Sequence, residues 1–298
     1  MALTRLFRLP ERRLTGFVPN SSPAKRQLLE IVAAFGEGYN RALDKVPDVT
    51  DLPRHLHGFA IEGAAMSCTL LDTITFRGNR LRALMENTGG RYTHLIHVGA
   101  GWALARLRRT RWPGLGDEML RWLAWDGWGF HQAYFMPRKV FHNHWIEVGA
   151  RGATRPIRDQ GTGRALWFYT GSDPELIARL IGTYPPHRRS DLWAGIGLAA
   201  AYTGVSGGTD DLLAVGAGHR EHLAQGAAFA AKAHVLSGHV PPGSAKAVET
   251  LTGVTPDVAA GWTDQALART PRPGSPADYE LWRAGIRKTF HQHTEGVL

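Results

Sequence analysis

The chain has 298 residues, of which 43% are hydrophobic and 20% are charged, a composition that excludes an intrinsically disordered protein. Its 35 Lys and Arg against 26 Asp and Glu give a formal charge of +9, but the basic clusters are short and scattered, unlike the stripe of a nucleic-acid binder. The single cysteine, Cys68, excludes a disulfide framework and any zinc or iron–sulfur site built from cysteines.

The first 24 residues are basic and contain no apolar run of signal-peptide length. No stretch of the chain reaches the roughly 18 apolar residues of a membrane span. We therefore expect a cytoplasmic protein. Residues 25–44 then carry the apolar spacing of a strong amphipathic helix.

A motif of Gly-x-Gly or Gly-x-Ala, followed by an apolar run, recurs along the chain. Its first glycines stand at positions 36, 63, 99, 127, 161, 195 and 226, on average about 32 residues apart, the length of one helical hairpin. A glycine inside a helix costs roughly 1 kcal/mol relative to alanine. Its recurrence therefore predicts that helices approach one another closely at these positions.

This repeat predicts an all-α fold of about seven helical hairpins, arranged as an α/α toroid or a curved solenoid. We expect one domain over residues 1–298, with a basic extension at 1–24, the repeat array at 25–240, and capping helices and a tail at 241–298. Residues 137–158 break the repeat and predict a short irregular or β-hairpin insertion, which could serve as a lid or a dimer contact. The best strand candidates, residues 92–98 and 146–148, are both short.

Polar residues interrupt the apolar pattern beside the first glycines. Each stands one or two positions before the first glycine of its repeat. These residues are Glu62, His97, Asp126, Asp159, Gln160 and Gln225. Because equivalent positions of neighbouring repeats would face a shared interior, these groups are expected to meet there. Carboxylates near an imidazole suit general acid–base chemistry, so the candidate catalytic residues are Asp126, His131, Asp159, Glu62 and His97. The alternative is that they cap helices and form interior hydrogen bonds.

Three residues after the first glycine, six repeats have an apolar residue and one has Arg164, which predicts an anchor for an anion or a carboxylate. The large aromatic residues of the repeats predict an apolar binding pocket. The candidate substrate-binding residues are Arg164, Trp102, Trp128, Phe130, Trp167, Gln160, Gln225 and Phe229.

Paired histidines leave a metal site open as an alternative, since two imidazoles and Glu62 could form a 2-His-1-carboxylate iron site. The sequence contains no His-Glu-x-x-His motif and no Gly-x-Ser-x-Gly nucleophile elbow. We therefore assign no metal ligand, and the cofactor stays unknown. Cys68 lies in an apolar helical run and is interpreted as a core residue.

Six phrases in order resemble a bacterial family of unknown function that is encoded in enediyne polyketide gene clusters, beside the enediyne synthase. They lie at residues 58–66, 97–105, 126–131, 159–167, 191–197 and 222–230, and the resemblance runs from about residue 16 to residue 282. It implies a role in maturing the polyene made by that synthase into the enediyne core. It carries over no catalytic assignment.

The resulting hypothesis is an enzyme that acts on a long apolar polyene or polyyne, by proton-transfer isomerisation or cyclisation. One alternative is a non-catalytic polyene-binding chaperone or assembly subunit, and another is an iron-dependent, desaturase-like enzyme. The expected partners are an apolar polyene-type small molecule and other enediyne biosynthetic proteins, without nucleic acid or a membrane span. An oligomer is compatible with the sequence.

Overall fold

A computed structural model describes residues 7–10, 23–45, 47–75, 78–110, 115–147, 152–205, 208–270 and 274–296. All regular structure in these ranges is helical, and none of their residues forms a β-strand, which confirms the predicted all-α class. Most of the predicted basic extension at 1–24 lies outside the described residues.

Thirteen α-helices follow one another in the described part of the chain. They are α1 (Pro23–Ala42), α2 (His57–Thr75), α3 (Arg80–Asn87), α4 (Thr93–Leu107), α5 (Leu123–Phe135), α6 (Arg155–Thr170), α7 (Pro174–Thr183), α8 (Pro186–Thr203), α9 (Thr209–Val215), α10 (Arg220–Ser237), α11 (Pro242–Thr252), α12 (Pro256–Ala268) and α13 (Pro276–Gly296). In the described part of the chain, no helix is both long enough and apolar enough to cross a membrane.

The strand expected at 92–98 is wrong, because helix α4 begins at Thr93 and includes almost all of that segment. The insertion at 137–158 is irregular in its described part: a π-helical turn at Arg138–His142 is followed, up to residue 147, by chain without regular secondary structure, and α6 begins at Arg155. Local signals did identify other helix starts. Asp173 caps α7 by accepting a hydrogen bond from the Leu176 backbone N–H at 3.0 Å, and Pro174 follows at the first helical position, where no N–H is needed.

Seven helices carry the repeated motif, and we call them the glycine helices: α1, α2, α4, α5, α6, α8 and α10. Each packs along the next in this order. The contact is close at the glycines. A Cβ on Gly161 would lie 1.9 Å from the carbonyl oxygen of Asp126, and one on Gly163 would lie 2.0 Å from that of Leu192. The predicted role of the glycines in close helix packing is confirmed.

The same contact recurs in one register. In six successive pairs of glycine helices, the first glycine faces the carbonyl of the residue just before the first glycine of the preceding helix. In five of these pairs, the second glycine faces a carbonyl three residues before the first glycine of the following helix. In the remaining pair, α2 with α4, Ala65 takes the place of the second glycine. The spacing read from the sequence therefore corresponds to equivalent points of helix contact.

Buried apolar side chains form one continuous core that extends from Leu9 to Phe290. Beyond the glycine helices, α12 and α13 pack on α10 and on each other. A second, small apolar cluster around Leu104, Ala124 and Trp128 is separate from this core. The interior between the glycine helices contains five of the polar residues that the sequence singled out: Glu62, Asp126, Gln160, Arg164 and Gln225.

Candidate functional site

An ion cluster lies in the interior, made by three different glycine helices. Arg164 of α6 donates from Nη1 to Asp126 Oδ1 of α5 at 2.5 Å, and its Nη2 lies 3.5 Å from Glu62 Oε1 of α2. All three side chains are buried. Asp126 and Glu62 each precede a first glycine and Arg164 follows one by three residues. Within the repeat, the position just before the first glycine and the position three residues after it are four residues apart. Side chains at these two positions therefore share a helix face.

The cluster continues through a line of hydrogen bonds towards the surface. Gln160 donates to Asp126 Oδ2 at 2.8 Å, and Gln225 donates to the side-chain oxygen of Gln160 at 3.1 Å. Arg287 of α13 in turn donates to the side-chain oxygen of Gln225 at 3.0 Å and to Glu280 at 2.9 Å. The two buried amides are thereby held in one orientation, with their N–H groups towards Asp126.

The two carboxyl groups have different surroundings. Burial raises the pKa of Glu62, as does the negative charge of Asp126, while Arg164 and the Trp102 indole act in the opposite direction. Trp102 Nε1 donates to Glu62 Oε1 at 3.1 Å. Burial lowers the pKa of Arg164, but Asp126 and Glu62 outweigh this effect and raise it, so the guanidinium stays charged. One cation is therefore shared between two buried carboxyl groups.

Two cavities adjoin this cluster. The first, about 40 Å³, has Glu62 and Arg164 as its charged lining. Aromatic rings make up half of the other lining residues or more and include Phe35, Phe59, Trp102, Phe130, Tyr134 and Phe168, beside aliphatic residues such as Ile31 and Val32. The second, also about 40 Å³, has Asp126, Arg164 and His94 as its titratable lining, beside Leu95, Val98, Leu123 and Phe229. Both cavities share Arg164, Leu198 and Tyr202, which therefore separate them.

The structure brings together most of the residues expected at a shared interior site. Glu62, Asp126, Gln160, Gln225 and Arg164 form the cluster and its hydrogen-bonded extension. Trp102 and Phe130 line the first cavity, with ring centroids 4.7 Å apart, and Phe229 lines the second. Arg164 pairs with carboxylates of the protein itself.

Asp159 is not part of this cluster. Its carboxylate accepts two hydrogen bonds from Arg188, at 2.5 and 2.9 Å, in a separate buried ion pair. It stands two residues before the first glycine, and one residue of helix corresponds to a rotation of about 100°. Asp159 therefore points away from the direction taken by Gln160.

The two candidate catalytic histidines also lie apart from the carboxylates. His97 Nδ1 is 2.7 Å from the carbonyl of Thr93 in its own helix. The His131 ring packs on Phe135 and on the edge of Trp102, at centroid distances of 4.8 and 5.9 Å, and no hydrogen bond joins it to Asp126. Burial lowers the pKa of His131 to about 3, so this imidazole is neutral at physiological pH.

Two predicted aromatic residues lie elsewhere. Trp128 lines neither interior cavity and donates to Glu147 at 2.9 Å, because it stands two positions, about 200° of helix rotation, away from the position that Trp102 occupies in its repeat. Trp167 is buried and donates to Thr203 at 3.2 Å.

Sequence reasoning missed five rings of the first cavity: Phe35, Phe59, Tyr134, Phe168 and Tyr202. Tyr134, Phe168 and Tyr202 each stand seven residues after a first glycine. This position lies one helical turn beyond that of Phe130 and Arg164, so extending the repeat by one turn would have identified it. Arg287 lies outside the repeat, and no sequence signal indicated its contact with Gln225.

No group of three or more His, Cys, Asp or Glu residues within the described ranges is arranged to hold a metal ion. The His/carboxylate iron alternative therefore gains no support from the geometry of these side chains. Cys68 is buried, and burial raises the pKa of its thiol to about 12, which agrees with its interpretation as a core residue.

The fold and site define an all-helical protein with two buried carboxyl groups beside apolar cavities. The family described as "Protein of unknown function (DUF1702)" matches residues 8–290, and the chain belongs to this family. Comparisons with curated proteins and with solved structures find no match.

The buried histidine His234 predicts a loss of stability in mild acid. Burial lowers its pKa to about 4, partly offset by its hydrogen bond with the carbonyl of Tyr202. The unfolded chain, with an ordinary histidine, takes up a proton first, so the unfolding free energy falls as the pH drops from about 6.5 towards 4. We expect His234 to contribute a loss of about 2 kcal/mol between pH 7 and pH 5.

Urea unfolding at both pH values measures this loss. His234→Gln should reduce the difference between the two unfolding free energies, whereas His187→Gln, at an exposed position, should leave it unchanged. An unchanged difference in the His234 variant would show that this histidine is not the cause.

Proposed function

We propose that the protein binds an elongated, conjugated apolar molecule across the two interior cavities and moves a proton along it. The observation that carries this proposal is the placement of two carboxyl groups, Glu62 in the first cavity and Asp126 in the second, on either side of Arg164. Pairs of titratable groups in contrasting surroundings are the usual equipment for acid–base catalysis.

Glu62 is the proposed acid. Since burial raises its pKa, it keeps a proton more readily than an exposed glutamate does, and it lines a small cavity among aromatic rings. Asp126 is the proposed base. It already accepts hydrogen bonds on both oxygens, from Arg164 and Gln160, which hold the carboxylate in position.

The proton balance is that of an isomerisation. Glu62 gives its proton to one carbon of the conjugated chain, and Asp126 removes a proton from another carbon, so the double bonds between them shift. Nothing is oxidised or reduced, and the two carboxyl groups return to their starting states by proton exchange with water when the product leaves. The cationic intermediate would be stabilised by the faces of Trp102 and Phe130.

The cavities limit how the ligand binds. At about 40 Å³ each has room for about one water molecule. A polyene must therefore displace side chains on binding, and the rings of the first cavity, which pack at 4.6 and 4.7 Å from Trp102 to Phe35 and Phe130, are the side chains that would move. Burial of the chain among rings would supply most of the binding free energy.

We further infer that the substrate is the polyene intermediate of enediyne biosynthesis and that other proteins of that biosynthesis are partners. The support is the sequence resemblance described above, together with an interior of apolar, aromatic character. The predicted hairpin repeat closed into a toroid is likewise a proposal. It is supported by contacts between early and late helices: Phe59 packs on Tyr202 at 5.0 Å, and Arg54 donates to the carbonyl of Gly238 at 3.1 Å.

The alternative is a binding protein without chemistry, a polyene chaperone or assembly subunit. The closed aromatic cavity favours it as much as it favours an enzyme, because shielding a reactive chain requires the same rings. The two functions differ in what the carboxyl groups do.

The test uses a conjugated tetraene fatty acid as the probe, in deuterated buffer. We expect its fluorescence to report binding and mass spectrometry to report deuterium on carbon. Glu62→Gln should slow deuterium incorporation by at least about 100-fold while changing binding less than about threefold. Glu249→Gln, at an exposed carboxylate of α11 outside this hydrogen-bonded line, is the matched control and should change neither.

Binding without any deuterium incorporation in the native protein would refute the enzyme and support the chaperone. Absence of binding would refute both. An unchanged rate in the Glu62 variant would refute the assigned acid.

A further inference from the structure

A larger cavity lies on the outer side of α4 and α5. Its volume is about 270 Å³, compared with about 40 Å³ for each interior cavity. Its lining is dominated by indoles and an arginine: Arg121, Trp122, Trp125 and Trp128, with Leu104, Thr110 and Ala124. Thr110 is exposed and Trp122 and Trp125 are half-buried, so the cavity opens to the surface.

This cavity is independent of the interior site. On α5, Asp126 and Phe130 are one turn apart and face the interior, whereas Trp125 and Trp128 share another face of the same helix. Leu104, Ala124 and Trp128 belong to the small apolar cluster that is separate from the main core. Ligands of the two sites would therefore contact different side chains, apart from the shared helix.

The indole rings of this cavity already pack against planar guanidinium groups of the protein. The guanidinium carbon of Arg158 lies 4.4 Å from the ring centre of Trp125 and 4.8 Å from that of Trp128. The guanidinium of Arg121 lies 4.9 Å from the ring of Trp122. Trp128 is fixed by its hydrogen bond to Glu147, which also pairs with Arg158 at 3.1 Å. Such fixed indole walls favour a flat ligand.

Three arginines lie at or next to the opening. Arg121 lines the cavity, and the exposed Arg108 and Arg109 directly precede Thr110. None of these three arginines forms an ion pair with a carboxylate of the described residues, while the charge of Arg158 is already balanced by Glu147. A cationic ring would be repelled here, and an anionic ring would be attracted.

We propose that this outer cavity is a second ligand site, which binds a planar aromatic carboxylate of one or two rings. The ring stacks between the indoles of Trp122, Trp125 and Trp128, and the carboxylate pairs with Arg121. This inference does not depend on the chemistry proposed for the interior.

The test uses the full chain and 2-naphthoate, with 2-naphthylmethanol as the uncharged analogue. Indole N–H signals in NMR report which tryptophans respond. We expect naphthoate to shift the signals of Trp122, Trp125 and Trp128 and to bind at least tenfold more tightly than the alcohol. Trp125→Leu should weaken naphthoate binding at least tenfold, and Arg121→Gln should remove the preference for the anion.

Trp145→Leu is the matched control, because Trp145 also carries a cation on its ring, Lys139 at 4.0 Å, but does not line the cavity. It should change naphthoate binding less than twofold, as should Glu62→Gln. Equal binding of the alcohol, unchanged binding in the Arg121 variant, or tighter binding of a short single-stranded oligonucleotide would overturn the proposal. Since Glu62→Gln tests the interior site, failure of one proposal is distinguishable from failure of the other.

Discussion

Replacement of Gly161 with alanine is expected to lower the unfolding free energy by at least about 3 kcal/mol or to prevent folding. The added Cβ would lie 1.9 Å from the carbonyl oxygen of Asp126 and 2.9 Å from the backbone nitrogen of Phe130. These are backbone atoms of the neighbouring helix, so the clash is relieved only if α5 and α6 move apart. Such a movement would also disturb the Asp126–Arg164 ion pair.

Gly261→Ala is the matched control. Gly261 lies in the middle of α12, and a Cβ there would meet no atom within 4 Å. Alanine is the better helix former, so this variant should be up to about 1 kcal/mol more stable than the native protein. Chemical unfolding followed by circular dichroism measures both variants. Equal stability of the Gly161 and Gly261 variants would contradict the packing described for the glycine helices.

Removal of the Asp126 carboxylate is the second change with a large expected effect. Asp126→Ala should destabilise the protein by about 3–5 kcal/mol, because the buried Arg164 and Gln160 side chains would lose a hydrogen-bonding partner. The charge of Arg164 would then be shared with Glu62 alone, at 3.5 Å. The pKa of Glu62 should fall as a result, since the negative charge of Asp126 contributes to raising it.

An exposed ion pair provides the comparison. Asp264 pairs with Lys232 at 2.7 Å, but its side chain is 59% exposed, so Asp264→Ala should cost less than about 1 kcal/mol. Denaturant unfolding of both variants at the same pH measures the two losses of unfolding free energy. Similar losses in the two variants would mean that the interior ion cluster is not the strong interaction that its burial implies.

Much of the interior site could be predicted because equivalent positions of the repeat lie on equivalent faces of successive helices. Glu62, Asp126, Gln160 and Gln225 occupy one repeat position, and the glycine contacts place that position at equivalent points of successive helices. The same reasoning failed for Asp159, where a difference of one residue turns the side chain towards Arg188. The helix face that a residue occupies is thus a better predictor of its place in the site than its closeness in sequence to the first glycine.

Other parts of the site depend on contacts that no local pattern encodes. Arg287 lies in α13, outside the repeat, and reaches Gln225 only because α13 packs on α10. The outer cavity was likewise not predicted: Trp128 was expected in the interior, and its pairing with Glu147 depends on the irregular segment before α6. The helical class followed from composition and spacing, which are local properties.

The proposed acid, Glu62, differs from an exposed glutamate because burial beside the Asp126–Arg164 ion pair raises its pKa. Carbon-13 NMR of protein labelled at glutamate carboxyl groups tests it directly, with Glu62→Gln identifying the signal. We expect the Glu62 carboxyl group to titrate at a higher pH than an exposed glutamate does, because burial raises its pKa. A Glu62 signal that titrates near 4.5, the ordinary value for this side chain, would contradict the account.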